Sequence, residues 1–172
     1  MTSTQSPEPW LRGPVPGVAP LLQPVAHALQ QAVEDIRRVV TPLDITALWA
    51  RPGGAASVGF HVLHAAGALD RLFTYARGEM LSTEQLASLK AETAPEEGRA
   101  SARQLVAGFE AQVERALAQL RATSDDRLTE PREVGRAKMP STVIGLLFHA
   151  AEHTQRHVGQ TIATVKVVSV RG

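Results

Sequence analysis

Cysteine is absent from the 172 residues, which removes disulfides, thiolate metal sites, iron–sulfur clusters and cysteine nucleophiles together. A metal site in this chain has to be built from histidine and carboxylates. Aromatic residues make up 4% of the sequence, and neither Trp10 nor Trp49 belongs to a basic, aromatic-rich stretch of the kind that stacks on nucleotide bases. Neither sign of charge dominates. The 18 Lys and Arg face 17 Asp and Glu, interspersed along the chain, which leaves no basic footprint for nucleic acid. No apolar run approaches the roughly 18 residues needed to cross a bilayer, and the segment from Met1 to Pro9 lacks the charged-then-apolar order of a signal peptide. The expectation is a soluble, cytoplasmic protein with no membrane or nucleic-acid partner. A chain of this length is expected to form one domain that buries roughly 70% of its unfolded surface.

What is present is helical periodicity. Residues 1–24 are rich in proline and glycine (Pro7, Pro9, Gly13, Pro14, Pro16, Gly17, Pro20, Pro24), which removes backbone donors and predicts an extended N-terminal arm. From Val25, apolar residues recur three and four apart through Leu29, Ala32, Val33, Ile36 and Val40, and Pro42 marks the end of a first helix. Ser57 is positioned to cap a second helix with its stripe at Val58, Val62, Ala65, Leu69, Leu72 and Ala76, ending at Gly78. Ser82 and Gln85 fit a capping box for a short helix to about Lys90, and an acidic loop from Glu92 to Gly98 follows. A third long helix carries Leu105, Phe109, Val113, Ala116, Leu117 and Leu120. A polar loop with Pro131, Gly135 and Pro140 leads to Ser141, read as the cap of a last helix with Val143, Leu147, Ala150, Thr154, Val158, Ile162 and Val165 on one stripe. The β-branched tail at Val167–Val170 is expected to leave that helix. Gly159, inside it, costs about 1 kcal/mol relative to Ala and so suggests close packing or a functional reason. No alternating strand pattern is evident. Four long amphipathic helices predict an all-α four-helix bundle, with the long link between the second and third allowing a crossover.

Five of the six histidines fall on two of these helices: His61 and His64 on the second, His149, His153 and His157 on the last. Residues four apart on a helix rise about 6 Å and rotate only about 40°, so His153 and His157 project side by side and can close on one metal ion. A third imidazole from a facing helix would give a three-nitrogen site with open positions, as catalytic sites have. At ~100° per residue, His157 and His153 lie on the shoulder of the buried stripe, about 80° and 120° from its centre, while His149 at about 160° turns to solvent. The same arithmetic puts His61 about 60° and His64 about 120° from the stripe of the second helix. Periodicity thus slightly favours His61 as the inward residue and leaves the third ligand open. Gln160, nearly on the row of His153, is the expected polar neighbour of the pair. Glu152 and Gln155 rotate away toward solvent.

Other metal motifs do not fit. His149 to His153 reads as His-x-x-Glu-His, a metalloprotease pattern that needs a carboxylate ligand downstream, and no Asp or Glu follows His153. No Glu is followed by His at the Glu-x-x-His spacing of di-iron bundles. The segments Ser57-Val58-Gly59-Phe60-His61-Val62-Leu63-His64-Ala65-Ala66 and His149-Ala150-Ala151-Glu152-His153-Thr154-Gln155-Arg156-His157-Val158-Gly159-Gln160 instead resemble those of the DinB-like (DinB/YfiT) family of metal-dependent proteins, in which His-x3-His-x-Gly-Gln lies near the start of the last helix. The resemblance extends over nearly everything after the arm, as a DinB-like domain at residues 25–172. It implies an up-down-down-up four-helix bundle, frequently a homodimer, with a divalent metal on three histidines; imidazole ligands suit Zn, Ni, Cu or Fe, of which Zn or Ni is expected. It maps the ligands onto His64, His153 and His157, with His61 as rival to His64, and His61 and His149 as extra polar groups near the site.

Three neutral imidazoles leave the metal its full charge, which acidifies a bound water or thiol and polarises a carbonyl. Relatives in the wider superfamily act on low-molecular-weight thiols such as mycothiol or bacillithiol, as S-transferases or as maleylpyruvate isomerase. The resemblance therefore implies a thiol-dependent transferase, isomerase or hydrolase acting on a small molecule. A second expectation from a different class is a non-catalytic, dimeric metal-binding or sensor protein.

Overall fold

The computed structural model describes residues 6–92 and 100–169. Within them the chain is mostly helical, with six α-helices, four single turns of 3-10 helix and one small hairpin. The long helices are α1 (Gln23–Val40), α3 (Val58–Ala76), α5 (Ala102–Arg121) and α6 (Val143–Ser169), and the short ones are α2 (Ile45–Trp49) and α4 (Thr83–Ala91). Each long helix packs against two of the other three. α6 lies between α3 and α1, and α5 lies across from it against the same two. Their inward stripes form one continuous core with Leu29, Ile36, Leu69, Phe73, Phe109, Leu120 and Leu147 fully buried, each contributing about 1.5–3 kcal/mol by leaving water. Among the described residues, no helix is long and apolar enough to cross a membrane.

The helix ends explain why the chain turns where it does. Ser57 Oγ accepts from the Phe60 amide at 3.2 Å and so starts α3 at the expected residue. At the other end Glu79 N–H donates to Thr74 O and Gly78 N–H to Tyr75 O, a Schellman closure that requires the positive φ of Gly78 at 85°. The capping box of α4 is present in both directions between Ser82 and Gln85. A second box, Ser101 with Gln104, starts α5. α1 begins at Gln23, with Pro24 in its first turn, where a missing N–H is harmless.

Three expectations are corrected. The loop around Pro131–Pro140 is an antiparallel hairpin of β1 (Pro131–Val134) and β2 (Met139–Thr142), in register Pro131 to Thr142. With four residues a strand and two prolines, it carries no readable alternation. The cap of α6 is Thr142 rather than Ser141: Thr142 Oγ1 accepts from the Gly145 amide, while the amides of Val143 and Ile144 donate to Glu130 O and Leu128 O. Val167–Ser169 remain helical. The predicted loop at residues 93–98 lies outside the described residues.

The described part of the N-terminal segment is held against α1, and against α5 where Arg121 Nε donates to Pro16 O. Gln23 bonds the backbone of Val15 and Val18, Arg12 pairs with Glu34, His27 meets Gly13 O at 3.0 Å, and Val15, Val18 and Leu22 are buried. Trp10, by contrast, is exposed and donates to Glu8.

Trp49, at the end of α2, packs flat on the backbone of α3 and donates to Ala100 O. A Cβ at Gly59 would lie 2.6 Å from its ring, so Gly59→Ala is expected to lower stability by about 1–3 kcal/mol through overpacking. Thermal unfolding checks this, and an unchanged midpoint would contradict it.

Candidate metal centre

α3 and α6 form one of the packed pairs of long helices, and their facing turns carry the histidines. The stagger brings the second turn of α3 level with the third and fourth of α6, where His64 Nε2 lies 3.2 Å from His153 Nε2. His157 completes a triangle, its ring 4.6 Å from that of His64 and 4.7 Å from that of His153, centre to centre. One nitrogen from each of the three falls within 4.8 Å of the others. Nitrogens bound tetrahedrally at about 2.0–2.1 Å from zinc are separated by roughly 3.3 Å, so the spacing of His64 and His153 matches one edge of such a site.

His61 occupies the deeper position. It is 7% exposed, its Nδ1 is 3.1 Å from His157 Nδ1, and it lies outside the three-nitrogen group. The angular argument correctly ranked it as the more inward residue of α3. The three-nitrogen group instead includes the less buried His64, on the shoulder between the two helices. His149 is exposed beside Glu152, as expected.

Burial favours the neutral form of His61, His153 and His157. Burial, reinforced by the neighbouring His64, His153, His61 and Arg156, pushes the His157 imidazole down to about 4. Burial and then His64 also lower His153 and His61. An unfolded histidine titrates near 6.5, so between about 4 and 6.5 the unfolded chain takes up a proton that folded His157 refuses. The metal-free fold is therefore expected to lose stability as pH falls through that window, on the order of 2 kcal/mol, and to regain it above. Urea unfolding at pH 7 and 4.5 in the presence of chelator measures this. His157→Gln is expected to flatten the pH slope, and an identical slope would count against a depressed His157.

His64 has the most defined surroundings. Phe60 stacks on one side, rings 5.5 Å apart and 9° from parallel, and its Nδ1 lies 2.7 Å from Glu92 Oε2. The other oxygen of Glu92 accepts from Arg71 Nη1 at 2.6 Å, in a pair largely shielded from water. Sequence reading assigned Glu92 to an acidic loop. Its signal was its place at the C-cap of α4, a helix packed on α3, and no spacing rule predicts which side chain of α3 such a cap residue meets. Glu92 also lines a cleft of about 490 Å³ between α3, α4 and α5, walled by Leu63, Ala66, Asp70, Phe109 and Arg115.

Three positions on α6 differ from expectation. Gln160 is exposed, Gln155 turns inward to donate to Ala28 O at 2.6 Å, and a Cβ at Gly159 would meet open space, so no close packing accounts for that glycine.

Solved structures resemble this fold. A conserved protein from Enterococcus faecalis superposes with a TM-score of 0.66 at 18% identity, over 86% of this chain and 96% of that one. A protein from Exiguobacterium sibiricum 255-15, named for the DinB family, superposes with a TM-score of 0.68 at 16% identity, over 88% and 94%. At these identities the likeness shows the fold alone. No curated protein matches the sequence significantly. The DinB superfamily profile matches residues 28–161, most of the chain including His61, His64, His149, His153 and His157, and the protein belongs to the DinB superfamily.

Proposed function

We propose that this protein is a metal-dependent enzyme with one divalent ion, Zn or Ni, held by His64, His153 and His157, and that it acts on a small molecule through a low-molecular-weight thiol, as a transferase, isomerase or hydrolase. The observation that carries the reading is the convergence of three imidazole nitrogens within 4.8 Å from two helices, in a setting where burial keeps His153 and His157 in the neutral, metal-competent form. Three protein nitrogens also leave part of a four-coordinate shell for a substrate. The bound ion supplies Lewis-acid chemistry, acidifying a thiol and polarising a carbonyl. The chain's own contribution is orientation. Phe60 fixes the plane of His64, Glu92 holds its Nδ1 edge, and the neighbouring cleft has a volume in the range of small-molecule sites.

The same reading takes residues 25–172 as an up-down-down-up four-helix bundle, residues 1–24 as an arm, the working assembly as a homodimer and the location as the cytoplasm. It is supported by membership of the superfamily and by the ring of four long helices. The test is spectroscopic: adding bacillithiol or mycothiol to the cobalt-substituted protein is expected to shift the visible absorption bands, and His153→Ala to abolish the shift. A cobalt spectrum indifferent to either thiol would leave a metal-binding protein without thiol chemistry.

A further inference from the structure

His64, Gly67 and Arg71 lie on one row of α3, three and four residues apart, and Glu92 is laid along that row. One carboxylate oxygen meets His64 Nδ1 at 2.7 Å and the other meets Arg71 Nη1 at 2.6 Å. Between them the helix has no side chain. A Cβ built on Gly67 would fall 2.3 Å from Glu92 Oε1 and 2.7 Å from Arg71 Nη1, so the pair occupies the space that any other residue at position 67 would fill. Glu92 is held from one end by a guanidinium, and its side chain is 8% exposed.

We propose that Glu92, anchored by Arg71 across the bare face of Gly67, is a positioning residue for His64: its carboxylate accepts the Nδ1–H of the imidazole and so aims the Nε2 lone pair at the space shared with His153 and His157. This rests on the reading of the three histidines as a metal site and adds to it a residue from outside the two ligand helices. A carboxylate accepts and does not donate, so Nδ1 carries the proton, and in the neutral imidazole that metal binding requires Nε2 is then the bare nitrogen. In that neutral form the 3.2 Å approach of His153 Nε2 to His64 Nε2 is a hydrogen bond donated by His153, and for His153 Nε2 to hold a metal its proton would have to pass to Nδ1 of the same ring. Fixing the tautomer and ring angle before metal arrives saves the ordering cost of binding, which is why such carboxylate partners typically account for 10–100-fold in metal affinity.

The test compares wild type, Glu92→Gln and Gly67→Ala. The glutamine variant removes the charge but leaves Arg71 without its partner. The alanine variant keeps both ionic groups and displaces the carboxylate sterically, so a fold lost in the first leaves the second as the test. Zinc affinity measured by competition with a chromophoric chelator is expected to fall 10–100-fold in both, with one zinc per chain retained. In the metal-free proteins, long-range 15N–1H correlation of the histidine rings is expected to show His64 as the Nδ1–H tautomer in wild type and as a mixture in the variants. Zinc affinities within about threefold of wild type, or an Nε2–H tautomer of His64 in wild type, would overturn the proposal. If wild type takes up no zinc, the metal reading fails, and the tautomer measurement decides the Glu92 contact alone.

Discussion

Replacing His153 by alanine is expected to weaken zinc binding by on the order of a hundredfold or more, and His64→Ala and His157→Ala are expected to do the same. Zinc held by a small protein site is worth about 10–16 kcal/mol, so one imidazole out of three carries several kcal/mol. The three nitrogens lie within 4.8 Å of one another, and no other described residue forms part of that group. His61→Ala is the informative contrast. Its Nδ1 faces His157 rather than the shared space, so its loss is expected to weaken zinc by about tenfold at most, the scale of a residue that orients a ligand. Isothermal titration with each variant separates the cases. A hundredfold effect of His61→Ala with little effect of His64→Ala would make His61 the third ligand.

Phe73→Ala is expected to have the largest effect on stability, a loss of about 3–5 kcal/mol. Phe73 is 2% exposed in the core, and truncating it leaves a cavity that the four packed helices cannot fill. For a chain of this size the thermal midpoint should drop by roughly 10 °C. Phe73 lies nine residues beyond His64 on α3, about 13 Å along the helix axis, so the zinc affinity of the folded variant is expected to stay within about twofold of wild type. Differential scanning calorimetry with and without zinc checks both parts. A small change in midpoint would mean that this region of the core collapses around the missing ring. A large change in affinity would mean that the whole of α3 repositions.

The long helices were legible because each carries an amphipathic stripe, and the ends of α3 and the start of the short α4 carry a local signal: Ser57, Gly78 and the Ser82–Gln85 pair each act on residues within a few positions of themselves. α2 and the hairpin were not legible. α2 has five residues and a cap at Asp44, too short for a period to repeat. The two strands are ordered by pairing with each other and by the bonds that Glu130 O and Leu128 O accept from the start of α6, which are tertiary facts. The candidate site divides in the same way. The pair His153 and His157 follows from helix geometry alone. The choice between His64 and His61 depended on how α3 is rotated against α6, which a single-helix angle does not contain. Glu92 reaches His64 from the end of α4, and Gln155 on α6 reaches the backbone of α1 across the contact between those two helices. Neither leaves a periodic trace.

The most direct measurement of the central claim is metal content per chain by plasma mass spectrometry, on protein purified without a histidine tag. The account predicts close to one divalent ion per chain, either as isolated or after titration with Zn or Ni. Protein that is empty as isolated and takes up neither ion would contradict it, and the clustered imidazoles would then be a packing feature of the α3–α6 interface.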